Sequence, residues 1–166
     1  MISEFEPVVN GIKALLEKWE TRLLSLQDDV IYNRRNGQNR NIKQILGHMV
    51  DSASNNTHRI IHLQYRENPL EFPNYATHGN NDRWIAIQNY EEEDWFDLVQ
   101  LWKYTHLHLA HIIESVNPEK LENVWIAGKA DEMVSLKEMI TDFLRHMHLH
   151  MDEITELLEK KQTTNL

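Results

Sequence analysis

The chain contains no cysteine. Disulfides, thiolate–zinc sites and a cysteine nucleophile are thereby excluded, and a cytoplasmic location is the expectation that fits. Glycine and proline are scarce, five and four among 166 residues, so punctuation between elements is sparse. No apolar run approaches the ~20 residues that a membrane-spanning helix needs. The opening Met1-Ile2-Ser3-Glu4-Phe5-Glu6 has no basic segment followed by an apolar one, so no signal peptide is expected. Positive charge is also in deficit: 17 Lys and Arg against 26 Asp and Glu give a net charge of −9. Such a surface repels a phosphate backbone, and no nucleic-acid partner is expected. Several catalytic signatures are absent as well. There is no Glu-x-x-His of the di-iron carboxylate bundles, no His-Glu-x-x-His, no glycine-rich phosphate loop and no Gly-x-Ser-x-Gly turn.

What the chain has in excess is histidine, ten in all. Three of them, His146, His148 and His150, stand close together near the C-terminus. Apolar periodicity divides the sequence into four helical stretches within one expected domain spanning residues 1–166. The first runs from about Ile2 to Leu26 and is broken between Asp28 and Arg40. The second runs from Ile42 to Tyr65, with Asn41 and Gln44 as a capping box. Pro69 and Pro73 open a long connection that carries Tyr75, His78 and Trp84. The third stretch runs from about Glu91 to Val116, with Glu91 to Asp94 in its first turn. The fourth runs from Leu136 to Lys160, with Ser135 and Glu138 as its capping box and Lys160 and Lys161 at its end. Four helices of similar length and no convincing strand predict an all-α, four-helix bundle. The long second connection leaves room for a crossing of the bundle.

At about 100° per residue, Leu136, Met139, Ile140, Phe143, Met147, Ile154 and Leu157 share one face of the last helix. His150 falls inside that face, His146 at its rim, and His148 outside it. Two neutral imidazoles one turn apart can grip one divalent ion, but such an ion wants a third protein ligand. By periodicity alone the third helix offers His106, on its apolar face, while His48 lies off the apolar sector of the second helix. Of the tryptophans, Trp95, Trp102 and Trp125 read as core residues. Tyr75, His78 and Trp84 are candidates for a pocket mouth, with packing of the loop the first role for Trp84.

The segment Gln44-Ile45-Leu46-Gly47-His48-Met49-Val50-Asp51-Ser52, followed by Arg59, resembles the second-helix signature of the DinB-like superfamily, in particular its YfiT-like branch. The His146/His150 pair matches the family's His-x-x-x-His in the last helix, and Asp82-Arg83-Trp84 resembles part of its crossing loop. The resemblance spans nearly the whole chain. It implies a divalent metal held by His48, His146 and His150, with zinc or nickel first and iron or copper compatible. It also implies an enzyme that activates a water or thiol nucleophile, because family members include transferases of low-molecular-weight thiols and metal-dependent hydrolases. Asp51 and Ser52 are then candidates for orienting an imidazole or the nucleophile. The competing expectations are a non-catalytic, metal-stabilised binding or stress-response module, and a metal-free bundle with a histidine pH switch. A small-molecule substrate is the expected partner, and a homodimer is a further expectation, since Leu149 lies off the core face.

Overall fold

The computed structural model describes residues 2–128 and 132–159, apart from the side chain of His78. Its helices are α1 (Glu6–Leu24), α2 (Asp28–Asn33), α3 (Ile42–Tyr65), α4 (Asn80–Gln88), α5 (Trp95–Glu114) and α6 (Leu136–Glu159). Two short strands, β1 (Val124–Ile126) and β2 (Met133–Ser135), form an antiparallel pair. The four long helices α1, α3, α5 and α6 make the bundle expected from the sequence.

Their order around the bundle is not up-down-up-down. Helices α5 and α6 each pack between α1 and α3, so α1 and α3 face one another across the diagonal. This order sets α6 directly beside α3 and thereby joins two sequence segments about a hundred residues apart. A methyl group at Gly11 of α1 would fall 2.3 Å from Leu144 Cδ2 of α6, so that helix pair touches where a side chain has been dispensed with.

The helix starts follow their caps. Asn41 accepts from the Gln44 backbone N–H while Gln44 Oε1 accepts from the Asn41 N–H, both at 3.0 Å, which fixes the first turn of α3. Ser135 and Glu138 close the same box at α6, at 3.1 and 2.9 Å. Helix α1 begins at Glu6 rather than Ile2, after a 3-10 turn at Ser3–Phe5. Pro7 sits in its first turn, where a missing N–H costs nothing. Helix α5 begins at Trp95, not Glu91. Asp94 caps it, and the carbonyls of Glu91 and Glu93 turn instead to the buried ammonium of Lys43. At the end of α6, Arg34 donates to the carbonyls of Leu157 and Leu158 at 2.7 and 2.9 Å. Lys160 and Lys161 lie outside the described residues.

Two connections are more ordered than their sequences suggest. The break after α1 holds the short helix α2, anchored by buried Ile31. The β1–β2 pair lies in the connection after α5, where no strand was expected, and Leu70 bridges to Trp125 alongside it. The Trp125 indole donates to the Phe72 carbonyl at 2.9 Å, so the long second connection and the pair brace each other over α3. Among the described helices, none is long and apolar enough to cross a membrane.

Candidate metal centre

Helix α3 is buried on several faces along its first half. Every residue from Ile42 to Ala53 is buried except Gln44, because α2, α4, α5 and α6 all pack around it. His48 therefore needs no place on a single apolar stripe to be interior, and it is 6% exposed. On α6, His150 is also buried and His146 half-buried, while His148 is exposed.

The pairing of α3 with α6 brings three imidazoles together. One ligand atom from each of His48, His146 and His150 lies within 4.8 Å of the others. Ring centroids are 4.6 Å apart for His146 and His150, 4.8 Å for His48 and His150, and 5.9 Å for His48 and His146. The Nε2 atoms of His146 and His150 face each other at 3.1 Å.

Electrostatics keep the His48 and His146 rings neutral. Burial, reinforced by the neighbouring charges of His150, Arg40 and His146, lowers the His48 pKa to about 3. Burial and then the nearby charge of His150 take His146 to about 4. A metal ligand must be deprotonated, so this environment prepares the lone pairs a cation needs. His48 Nδ1 is buried with no hydrogen-bond partner in the protein, an orphaned nitrogen of the kind that a bound ion satisfies. The all-imidazole set suits a divalent transition metal, so the residues present fit one.

The surrounding groups orient the rings. His150 Nδ1 donates to Glu153 Oε2 at 3.1 Å. Burial alone would raise the Glu153 carboxyl, but the hydrogen bond and charge of His150 and a bond from Asn36 carry it below the ordinary range. Ser52 Oγ lies 3.5 Å from His146 Nδ1. Asp51, one turn from His48, bonds elsewhere: its Oδ1 accepts from the Tyr90 hydroxyl at 2.7 Å and from Gln88 Nε2 at 2.6 Å. It fastens α4 and the residues after it onto α3. The Tyr90 ring fits only because residue 47 is glycine, since a Cβ there would meet it at 2.2 Å.

Tyr75 is buried with its ring 6.1 Å from that of His48 and 5.4 Å from Trp84, which α4 carries over it. Arg40, itself 5% exposed, ties α4 down through Asp82 at 2.5 Å. A cavity of about 540 Å3 opens beside the cluster, with Ser52, Asn56, His146, Phe143 and Trp125 in its wall.

His106, the histidine favoured by periodicity in the third helix, does not join the cluster. Its Nδ1 donates to the Trp102 carbonyl at 2.7 Å and its ring packs on Trp102 and Phe143 within the core. Trp102 is fully buried, Trp125 is 6% exposed and Trp95 packs against the core edge, as read from the sequence. The roles of Asn56, Glu153, Gln88 and Tyr90 around the site gave no sequence signal. Only the i+4 step from Ser52 to Asn56 and the i+3 step from His150 to Glu153 could have suggested the first two.

No protein-family model matches the sequence, and no curated protein matches it. Among solved structures it is similar to YfiT from Bacillus subtilis, with a TM-score of 0.80 and 15% sequence identity, over 95% of this chain and 87% of that one. That protein is described as "a probable metal-dependent hydrolase with an unusual four-helix bundle topology". The chain thus has the YfiT-like four-helix-bundle fold, and a three-histidine cluster suited to a divalent metal lies between its α3 and α6.

Proposed function

We propose that the protein is a metal-dependent enzyme in which His48, His146 and His150 hold a divalent ion, zinc or nickel first, and in which water or a low-molecular-weight thiol is the activated nucleophile. The observation that carries this reading is the convergence of three imidazoles within 4.8 Å, one of them in the wall of a cavity. When bound, such an ion supplies Lewis acidity, which lowers the pKa of a water or thiol to near neutrality.

The residues of the chain divide the remaining work. Glu153 holds the His150 ring and fixes its tautomer, as carboxylates behind metal-bound imidazoles do. Ser52 holds Nδ1 of His146. Trp125, Phe143 and Met139 give the cavity an apolar wall that would exclude water and pack a small-molecule substrate. A non-catalytic, metal-stabilised module is the competing reading. A structural site is normally closed by four protein ligands, whereas the cluster has three among the described residues, and this favours catalysis. Thiol transfer to an electrophile and metal-assisted hydrolysis both use these parts. YfiT supports hydrolysis by its description, and the family resemblance supports either.

Metal analysis of the protein purified without a histidine tag tests the reading. Stoichiometric zinc or nickel, lost on His48→Ala, is the expected result. Absence of metal, with no uptake from solution, would overturn it. The metal-loaded protein assayed with thiol–electrophile pairs and with ester and amide substrates then separates transfer from hydrolysis.

A further inference from the structure

One run of hydrogen-bonding groups crosses the site from α3 to α6. Arg59 Nη1 donates to Asn56 Oδ1 at 3.5 Å, and Asn56 Nδ2 donates to Ser52 Oγ at 3.4 Å. Ser52 Oγ lies 3.5 Å from His146 Nδ1, His146 Nε2 lies 3.1 Å from His150 Nε2, and His150 Nδ1 lies 3.1 Å from Glu153 Oε2. The first three members share one face of α3, at steps of three and four residues.

The chemistry of the two ends fixes the direction of every hydrogen between them. A guanidinium only donates, so Asn56 turns its carbonyl to Arg59 and its NH2 to Ser52. Arg59 is 4% exposed, makes no ion pair among the described residues, and stacks on Trp125 at 3.9 Å, so no carboxylate competes for it. At the far end the Glu153 carboxylate only accepts, so His150 carries its hydrogen on Nδ1. In the neutral form that a metal ligand takes, His150 then has a bare Nε2. The hydrogen in the 3.1 Å contact therefore belongs to Nε2 of His146, whose Nδ1 is bare and accepts from the Ser52 hydroxyl. Without metal, all hydrogens point from Arg59 towards Glu153.

An ion that His146 and His150 would hold through their facing Nε2 atoms could not coexist with a hydrogen between them. His146 stays neutral by giving that proton to solvent and taking one on Nδ1, with no net change in protonation. Its Nδ1–H then donates to Ser52 Oγ, and Asn56 already occupies the other lone pair. The Ser52 hydrogen has to leave His146 for the two other neighbours of the hydroxyl, the Tyr75 phenol that hydrogen-bonds with it and the cavity that Ser52 lines.

We propose that Ser52 is a hydroxyl rotor positioned by Asn56 and Arg59. It faces His146 in the metal-free protein and faces the cavity in the loaded one, where it donates to an oxygen acceptor of the bound ligand, a carbonyl or carboxylate. The proposal rests on the three-histidine metal reading above.

The test is the tautomer of His146, read from imidazole 15N resonances of histidine-labelled protein at pH 8, above the ordinary imidazole range. Metal-free protein is expected to show His146 with its hydrogen on Nε2, and saturation with zinc, a diamagnetic probe, moves it to Nδ1. In Asn56→Asp the new carboxylate accepts from both Arg59 and Ser52, so Ser52 no longer donates to His146, part of the metal-free population carries its hydrogen on Nδ1 against the hold of His150, and zinc affinity rises. Ser52→Ala, a smaller change, removes the donor but leaves the metal-free hydrogen on Nε2, where Glu153 and His150 already hold it. An Nδ1 hydrogen in the metal-free wild type, or a metal-free tautomer that Asn56→Asp leaves unchanged, overturns the rotor. Zinc uptake with no tautomer change overturns the rotor alone, and failure to take up zinc overturns the metal reading with it.

Discussion

Two histidine pairs in this protein share one sequence spacing and differ in everything else. His146 and His150 on α6 have ring centroids 4.6 Å apart at 80°, with their Nε2 atoms facing at 3.1 Å. His58 and His62 on α3 lie 6.4 Å apart at 23°, beside Phe72, and His62 spends its Nδ1 on the Tyr65 hydroxyl at 2.7 Å. A four-residue step puts both pairs on one helix face. Only the α6 pair points at another helix, and that helix supplies His48. The spacing therefore selects a face, while burial and a third donor from a neighbouring element make a candidate site.

The strongest way to break this comparison is to remove one member from each pair. His150→Ala should weaken zinc binding by more than about 100-fold, beyond the loss typical of outer partners of a metal ligand. His62→Ala should leave it unchanged. Competition against a chromophoric zinc chelator measures both, and equal losses would show that the α3 pair is a site after all.

Acid should separate the buried histidines from the rest of the molecule. In the folded, metal-free protein, burial lowers His48 to about 3 and His146 and His106 to about 4, from an unfolded value near 6.5. Between pH 4 and 6.5 the unfolded chain thus binds more protons at these positions than the folded one. Their contribution to stability is fully present above pH 6.5 and is lost as the pH falls towards 4. Urea unfolding of metal-free protein at pH 7 and pH 4.5 reads the difference. His106→Leu should shrink the acid loss without touching zinc affinity, because His106 lies in the core and outside the cluster. A change in zinc affinity in that variant would place His106 back among the ligands.

How much of this was legible in the sequence differs along the chain for physical reasons. The capping boxes of α3 and α6 and the apolar face of α6 are local, so they could be read directly. The α6 pair was legible for the same reason. His48 was not legible from periodicity, because α3 is enclosed on several sides and its buried residues do not form one stripe. Family resemblance picked it out where helical geometry pointed to His106. The β1–β2 pair has three residues per strand, too few for alternation to show, and its support from Leu70 comes from a distant segment. The start of α5 was misplaced because the carbonyls of Glu91 and Glu93 bond a lysine that lies in another helix.

A further substitution probes the scaffold without touching a ligand. Gly47→Ala would drive a methyl group into the Tyr90 ring and press Tyr90 away from Asp51. Alanine's better helix propensity offsets only part of this, so a net loss of about 1–3 kcal/mol is expected in denaturant unfolding. The same substitution at Ser54, half-buried on the same helix, should be nearly neutral.

The smallest expected effect concerns what lies behind the two histidine pairs. His150 has a carboxylate partner in Glu153 at 3.1 Å, whereas His62 has the neutral hydroxyl of Tyr65. A carboxylate behind a metal-bound imidazole raises its basicity and fixes its tautomer, and the loss of such a partner typically weakens binding 10–100-fold. Glu153→Gln keeps an acceptor oxygen of nearly the same shape and removes only the charge, so the expected loss of zinc affinity is at the low end, about 10-fold. The ring orientation survives and the charge behind it does not. If Glu153→Gln instead matches His150→Ala in its effect, Glu153 is itself a ligand, the site is closed by four protein donors, and the case for an open, catalytic position fails.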